Sequence, residues 1–173
     1  MKRFRIDPSR SQLRIEGRSS LHPIRAEATN LRGWVEVDPL PEGGLNTEEG
    51  AKGTLELPVD ELSSGNVLYD REIRRRVDTR RHPMILAELT DVTETDVEGL
   101  CEVSGTVSFR GRTNSYHDRM AISFPEPDQM RLEGGHTFDI RDFGLEPPRI
   151  LALRVHPDVL VSVNLLARAE GVD

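Results

Sequence analysis

The fold is decided by residues 53–89, which read GTLELPVDELSSGNVLYDREIRRRVDTRRHPMILAEL. Apolar residues alternate with polar ones around Leu55 and Leu57, as on a half-buried strand whose successive side chains point to opposite faces. The same alternation returns from Ile85 to Leu89. One charged segment separates the two stretches, so the pattern predicts a mostly β protein with a single short helical insertion.

The charged segment carries the signals of a helix. Residues 64–66, Ser-Gly-Asn, break the first strand, and the asparagine is a good N-cap because its side chain accepts hydrogen bonds from free backbone N–H groups. Tyr69, Ile73 and Val77 then recur at helical spacing among charged residues, which is typical of an amphipathic surface helix. The sequence therefore predicts one short surface helix over about residues 66–77.

Proline and glycine breakers divide the rest of the chain into short alternating segments. His82-Pro83 is expected to end the helix, because a residue before proline is pushed towards extended angles, and residues 39–50 form a polar, Gly-rich surface loop. Evenly spaced alternating segments favour a closed antiparallel sheet, since closure removes exposed edges. The predicted strands are 4–7, 11–17, 24–28, 31–38, 53–59, 84–92, 101–110, 116–124, 130–140 and 159–169.

The last predicted strand has a continuous apolar face formed by Val159, Val161, Val163 and Leu165. In a barrel such a wall faces inward, where it either fills a core or surrounds a ligand cavity. Extending the alternation to the other strands gives the full predicted inward set, which is also the candidate set of ligand contacts. This set is Ile15, Val35, Leu57, Ile85, Phe109, Ile122, Phe138 and Val163.

Several motifs resemble those of the YceI-like family, in the family's order and over essentially the whole chain. They lie at Phe4–Ser11, Gly65–Glu72, His82–Ile85, Val103–Thr113 and Ile140–Leu145. Members of this family are antiparallel barrels of lipocalin-like architecture that bind polyisoprenoids or similar amphipathic lipids. The resemblance implies an all-β, antiparallel lipocalin-like β-barrel, and the length of 173 residues implies a single domain over 1–173.

The chain departs from the family pattern at three places. Asp78-Thr79-Arg80 stands where the family often has two aromatic residues, and Arg18-Ser19 stands where an Arg-His pair is usual. Ala87 occupies a position where the family usually has an aromatic side chain. These departures predict an interior that is lined differently from that of typical members.

The composition narrows the choice of partners. A net charge of -7 argues against nucleic acid, because the phosphate backbone is gripped by clustered Lys and Arg, and acidic residues interrupt the basic run of residues 71–81. The start of the chain is not followed by an apolar stretch of the length needed for a signal peptide or a membrane span. Cys101 is the single cysteine, so the chain cannot form an internal disulfide, which fits a reducing compartment. We therefore expect a cytoplasmic protein, as a monomer or a homodimer.

The candidate reactive residues do not form a recognisable catalytic or metal motif. The histidines lie on separate segments, without the short spacings that bring metal ligands together, so neither a metal site nor a catalytic group is predicted. His22 lies between two predicted strands and could contact a ligand headgroup at the rim of the barrel. The histidines are His22, His82, His117, His136 and His156.

The resemblance and the apolar wall together predict a non-catalytic function, the binding or carriage of an amphipathic isoprenoid-type lipid inside the barrel. A quinone or a polyprenyl chain suits this interior, and no other cofactor is expected. Two alternatives stay open at this point. The first is an enzyme that acts on a small amphipathic substrate at the barrel mouth through His22 and a carboxylate. The second is a filled barrel that serves as a stress-associated scaffold without ligand.

Overall fold

A computed structural model of the chain describes residues 1–147, 149–150 and 152–171. Within these residues it forms twelve strands and one α-helix, α1, which spans Val67–Val77. This composition confirms the prediction of an all-β protein with one short helix. The strands are β1 (Lys2–Ile6), β2 (Gln12–Ser19), β3 (Ile24–Ala28), β4 (Arg32–Pro39), β5 (Leu45–Asn46), β6 (Lys52–Pro58), β7 (Met84–Glu94), β8 (Leu100–Phe109), β9 (Arg112–Glu126), β10 (Gln129–Asp139), β11 (Arg149–Ile150) and β12 (Leu153–Ala169).

Eight strands close into an antiparallel barrel in the order β1, β4, β6, β7, β8, β9, β10 and β12. Phe4 of β1 lies opposite Val35 of β4 on one side and opposite Ala169 of β12 on the other. The pairing of β12 with β1 therefore closes the ring. The predicted lipocalin-like barrel is confirmed.

The hairpin formed by β2 and β3 continues the sheet along β12, next to the part of β12 that does not pair with β1. β2 pairs with β12, and β3 pairs with β2, with Ile15 opposite Ala26. Glu27 of β3 and Ser63 exchange two backbone hydrogen bonds of 2.9 and 3.0 Å. These bonds tie the hairpin to the segment that leads into α1, so the hairpin and the helix share one end of the barrel, which we call the helix end. The opposite end is the far end.

Helix α1 begins and ends with identifiable caps. The Asn66 side chain accepts hydrogen bonds from the backbone N–H groups of Leu68 and Tyr69, at 3.0 and 3.3 Å, which confirms its predicted role as N-cap. The helix ends when Asp78 adopts a left-handed conformation with a φ of 56°. It therefore ends several residues before Pro83, and the expectation that His82-Pro83 ends the helix is wrong.

The boundaries of several other segments also differ from those predicted, among them β9, which spans Arg112–Glu126 rather than 116–124. β12 begins at Leu153 rather than at Val159, and its pairing with β2 shifts register between Val155 and Val159. Pro157 lies within this shift, where its missing N–H removes no regular ladder bond. In the predicted loop 39–50, β5 pairs with β4 and buries Leu45, so this segment is partly ordered by the sheet.

The far end of the barrel is packed solid. Phe4, Val92 and Met130 are almost completely buried there, and they belong to one continuous apolar cluster. Close-packed interiors contain few voids larger than a water molecule, so this end of the barrel leaves little room for a ligand. In the described part of the chain, no helix is long and apolar enough to cross a membrane.

Candidate functional site

The helix end of the barrel contains a cavity of about 490 Å³. Its side walls come from inward-facing residues of the strands, and α1 covers it with Ile73 and Val77. Phe143 and Leu145, which follow β10, add to the lining. The lining is almost entirely apolar, so the barrel is filled at the far end and hollow at the helix end.

The hydrogen bonds that start α1 also hold the helix over this cavity. Asp70 accepts hydrogen bonds from the backbone N–H of Ser64 at 2.9 Å and from its hydroxyl at 2.5 Å. An acidic residue in the first turn is also favoured by the positive end of the helix dipole. The amphipathic spacing of the helix then turns Ile73 and Val77 towards Phe109 and Phe143. This packing fixes the position of the helix above the hollow.

Seven of the predicted inward residues line the cavity, and one inward residue lies elsewhere. The seven are Ile15, Val35, Leu57, Ile85, Phe109, Phe138 and Val163. Ile122 is 4% exposed and lies opposite Leu132, but it is packed in the apolar core and is not part of the cavity lining. Alternation gives the face of a residue correctly, but it does not give its depth along the barrel axis.

His22 lies in the exposed turn between β2 and β3, outside the cavity lining. Its Nδ1 lies 3.0 Å from the backbone oxygen of Pro23, and its backbone N–H donates to the hydroxyl of Ser19 at 3.1 Å. Among the described residues no carboxylate forms an ion pair with it. Its contacts are those of a turn residue, and the structure does not bring it together with the seven cavity residues.

A polar pair that the sequence analysis missed faces the cavity from β9 and β10. Nδ1 of His136 lies 2.5 Å from Oδ2 of Asp118, and both residues belong to the cavity lining. Backbone pairing between the two strands runs from the far end only as far as Gly134 opposite Met120. In the described chain the side chains of Asp118 and His136 therefore span a seam that backbone hydrogen bonds no longer close.

Aromatic side chains pack around this pair. The Tyr116 ring meets the rings of His136 and Phe138 edge to face, with centroids 5.2 and 4.8 Å apart. Burial raises the pKa of Tyr116 to about 12, with a further contribution from the nearby carboxylate of Asp142. The Tyr116 hydroxyl therefore stays protonated at physiological pH.

Asp118 is ionised beside the cavity. Burial opposes its ionisation, but hydrogen bonds from His136 and from the backbone N–H of Arg119 outweigh this effect and hold the pKa of the carboxyl below its ordinary value of 3.8. A carboxylate can only accept hydrogen bonds. The proton shared by the pair therefore belongs to Nδ1 of His136.

The remaining candidate for chemistry is Cys101, which is 5% exposed. Burial raises the pKa of its thiol, and the carboxylate of Glu94 adds to the shift. The reactive form of cysteine is the thiolate, so this environment disfavours a nucleophilic role. Within the described residues, no three His, Cys, Asp or Glu side chains lie together where they could hold a metal ion.

The model of the YceI-like domain matches residues 4–167. The chain belongs to the YceI-like family. The resemblance that the sequence motifs indicated is therefore confirmed, although no curated protein sequence matches this YceI-like chain.

Solved structures with the same fold come from several bacteria. A polyisoprenoid binding domain from Saccharophagus degradans, implicated in plant cell wall breakdown, has a TM-score of 0.78 and 12% identity, covering 98% of this chain and 99% of its own. Burkholderia cenocepacia BcnA has a TM-score of 0.77 and 11% identity, covering 93% and 98%. The Campylobacter jejuni YCEI protein has a TM-score of 0.64 and 10% identity, covering 86% of both chains. At these identities the likeness shows the YceI-like fold alone.

Proposed function

We propose that the protein binds an amphipathic lipid of the isoprenoid type in the barrel interior and does not change it chemically. The observation that carries this proposal is the cavity of about 490 Å³ at the helix end. Its volume falls within the range of about 300–1,000 Å³ that is typical of small-molecule sites. Its lining of Val, Leu, Ile and Phe side chains offers an apolar chain many contacts and few polar partners.

The energetics of burial suit a ligand of this kind. Each buried CH₂ group contributes about 0.8 kcal/mol, so a chain of modest length binds measurably. Membership of the YceI-like family and the fold shared with a polyisoprenoid binding domain favour an isoprenoid chain, either of a quinone or of a polyprenyl carrier. The hollow at the helix end argues against a filled scaffold.

The reactive groups near the cavity favour binding over catalysis. Tyr116 stays protonated, Cys101 is buried away from the pair, and His22 lies in an exposed turn. An enzyme would need a nucleophile or an acid-base pair placed against the substrate. The Asp118–His136 pair is the one described feature that favours the enzymatic alternative.

Native mass spectrometry of the protein purified from its own source, followed by solvent extraction, tests the proposal. We expect one lipid per barrel and an extracted compound with a prenyl chain. When the emptied protein is loaded again with the same compound and then extracted, the recovered compound should have an unchanged mass. Recovery of a chemically altered compound would favour the enzyme, and an empty barrel that takes up no prenyl lipid would contradict the binding function.

A further inference from the structure

The Asp118–His136 pair is a hydrogen-bonded polar pair in a lining whose surface is almost entirely apolar. Charged and polar groups placed beside apolar surface lose hydration, and they keep this position without a large cost only when their hydrogen bonds are satisfied. The Asp118 carboxylate meets this condition, because it accepts hydrogen bonds from His136 and from the backbone of Arg119 at 2.5 and 2.7 Å. In the imidazole of His136, only one of the two nitrogens, Nδ1, has a hydrogen-bond partner.

The position of the protons defines what the second nitrogen can do. Because the carboxylate requires a donor, Nδ1 of His136 carries the proton, and Nε2 offers a lone pair when the ring is in its neutral form. Nε2 has no hydrogen-bond partner among the described residues. The single described side-chain atom that is both sealed from solvent and without a partner is Nε of Arg110, so Nε2 of His136 remains accessible to a ligand atom.

The surroundings restrict which ligand atom can reach Nε2. The His136 ring is 28% exposed, and its neighbours on either side, Tyr116 and Phe138, present ring edges. A ligand atom that meets Nε2 must therefore come with an apolar body that fits the cavity. A lone pair in such a place can accept a hydrogen bond from a donor on the ligand.

We propose that the Asp118–His136 pair is a recognition site for the hydroxyl group of an apolar ligand, whose O–H donates to Nε2 of His136. This inference rests on the proposed function, because it names the chemical class of the ligand that the cavity holds. The class is an alcohol or phenol at the end of an isoprenoid chain. Ethers and esters of the same chain carry no proton for Nε2 and bind more weakly. Asp118 is a positioning residue that holds the Nδ1 proton.

The test compares farnesol with farnesyl methyl ether, two probes with the same chain that differ in the hydroxyl proton. Titration calorimetry should give a Kd about tenfold lower for the alcohol, which corresponds to about one hydrogen bond. His136→Phe should bring the ratio of the two Kd values close to one, because neither probe then meets an acceptor there. Thr137→Val, on the exposed face of the same strand, is the matched control and should keep the ratio of the natural protein.

A second variant and a spectroscopic measurement guard against a misfolded His136→Phe. Asp118→Leu removes the acceptor that holds the proton on Nδ1, so the ratio should also fall in this variant. Long-range ¹⁵N NMR of the natural protein should show Nδ1 of His136 protonated and Nε2 unprotonated, with Nε2 shifting when farnesol is added and not when the ether is added.

The outcomes separate this inference from the function on which it rests. Equal binding of alcohol and ether by the natural protein, or a proton on Nε2, would overturn the hydroxyl site while the lipid-binding function stands. Failure of both probes to bind would overturn the lipid-binding function and the hydroxyl site together. A preference for the alcohol that disappears in His136→Phe and persists in Thr137→Val supports the site.

Discussion

Phe4 and Phe124 pack against each other across the interior of the barrel, with ring centroids 5.9 Å apart. They belong to β1 and β9, which are not neighbours in the sheet, so the contact crosses the space that a ligand would need. Such aromatic pairs add about 0.5–1.5 kcal/mol beyond the burial of their surface. The two rings therefore fill the interior at the far end, whereas the helix end is hollow.

The packed far end gives a first prediction, for Ile122→Trp. Ile122 is 4% exposed within the packed cluster, so a larger side chain overpacks a filled core. We expect a loss of about 1–3 kcal/mol in the free energy of unfolding, measured by urea denaturation. Binding of a prenyl ligand to the folded variant should persist. Unchanged stability with lost binding would instead place Ile122 in the cavity.

The turn before α1 gives a second prediction, for Gly65. Its φ is +77°, and a Cβ atom built there has open space around it, so backbone strain alone decides the effect of a substitution. Gly65→Val should cost about 1–2 kcal/mol of stability, because the left-handed conformation is unfavourable for a β-branched residue. Gly65→Asn is the control and should cost less, since asparagine tolerates this conformation. Equal melting temperatures of the two variants would contradict the strain argument.

Acid stability gives a third prediction, for Asp7. Hydrogen bonds from Ser9, together with the ion pair with Arg168, hold the pKa of Asp7 below its ordinary value of 3.8. A carboxyl whose pKa is lowered by folding stabilises the protein above the ordinary pKa, and this contribution is lost as the pH falls through the folded value. Asp7→Asn should cost up to about 1 kcal/mol at pH 7, because the site is partly open to solvent.

The pH dependence of this variant is the decisive measurement. The difference in stability between the natural protein and Asp7→Asn should shrink below pH of about 4 and vanish at lower pH. Thermal unfolding followed by circular dichroism from pH 7 to pH 3 measures it. A difference that stays constant over this range would mean that the charge of Asp7 contributes nothing.

Local sequence signals were sufficient for the fold, and seven of the eight predicted inward residues line the cavity. Alternation located the strands, and Asn66 located the start of α1, because both signals act over a few neighbouring residues. The depth of Ile122 could not be predicted, since depth depends on how far each strand is shifted relative to its neighbours. For the same reason, the sequence could not show where along the barrel the packed interior ends and the cavity begins.

The Asp118–His136 pair had a signal that the sequence analysis did not use. With Ile122 inward, alternation also places Asp118 inward, and with Phe138 inward it places His136 inward. A polar residue at an inward position of each of two neighbouring strands is unusual in an apolar barrel. Their meeting at 2.5 Å depends on the register of β9 and β10, which short-range spacing rules for metal or catalytic motifs do not contain.

The last prediction tests the cavity itself through Ala87. This residue lines the cavity between Leu55 and Val107 of the neighbouring strands. Ala87→Phe places a ring in empty space, so it should keep or slightly raise the melting temperature while it weakens binding of a prenyl ligand at least tenfold. Its effect is therefore the reverse of that expected for Ile122→Trp.

The control for this variant is Leu160→Phe, which places a ring on the outer face of β12, where Leu160 is 43% exposed. It should change neither the melting temperature nor the Kd of the ligand, because an outward ring does not enter the cavity. Calorimetric titration of the natural protein and both variants with farnesol gives the three Kd values. Full binding by a folded Ala87→Phe would mean that the lipid lies outside the hollow end, since the added ring occupies the volume that a prenyl chain would need there.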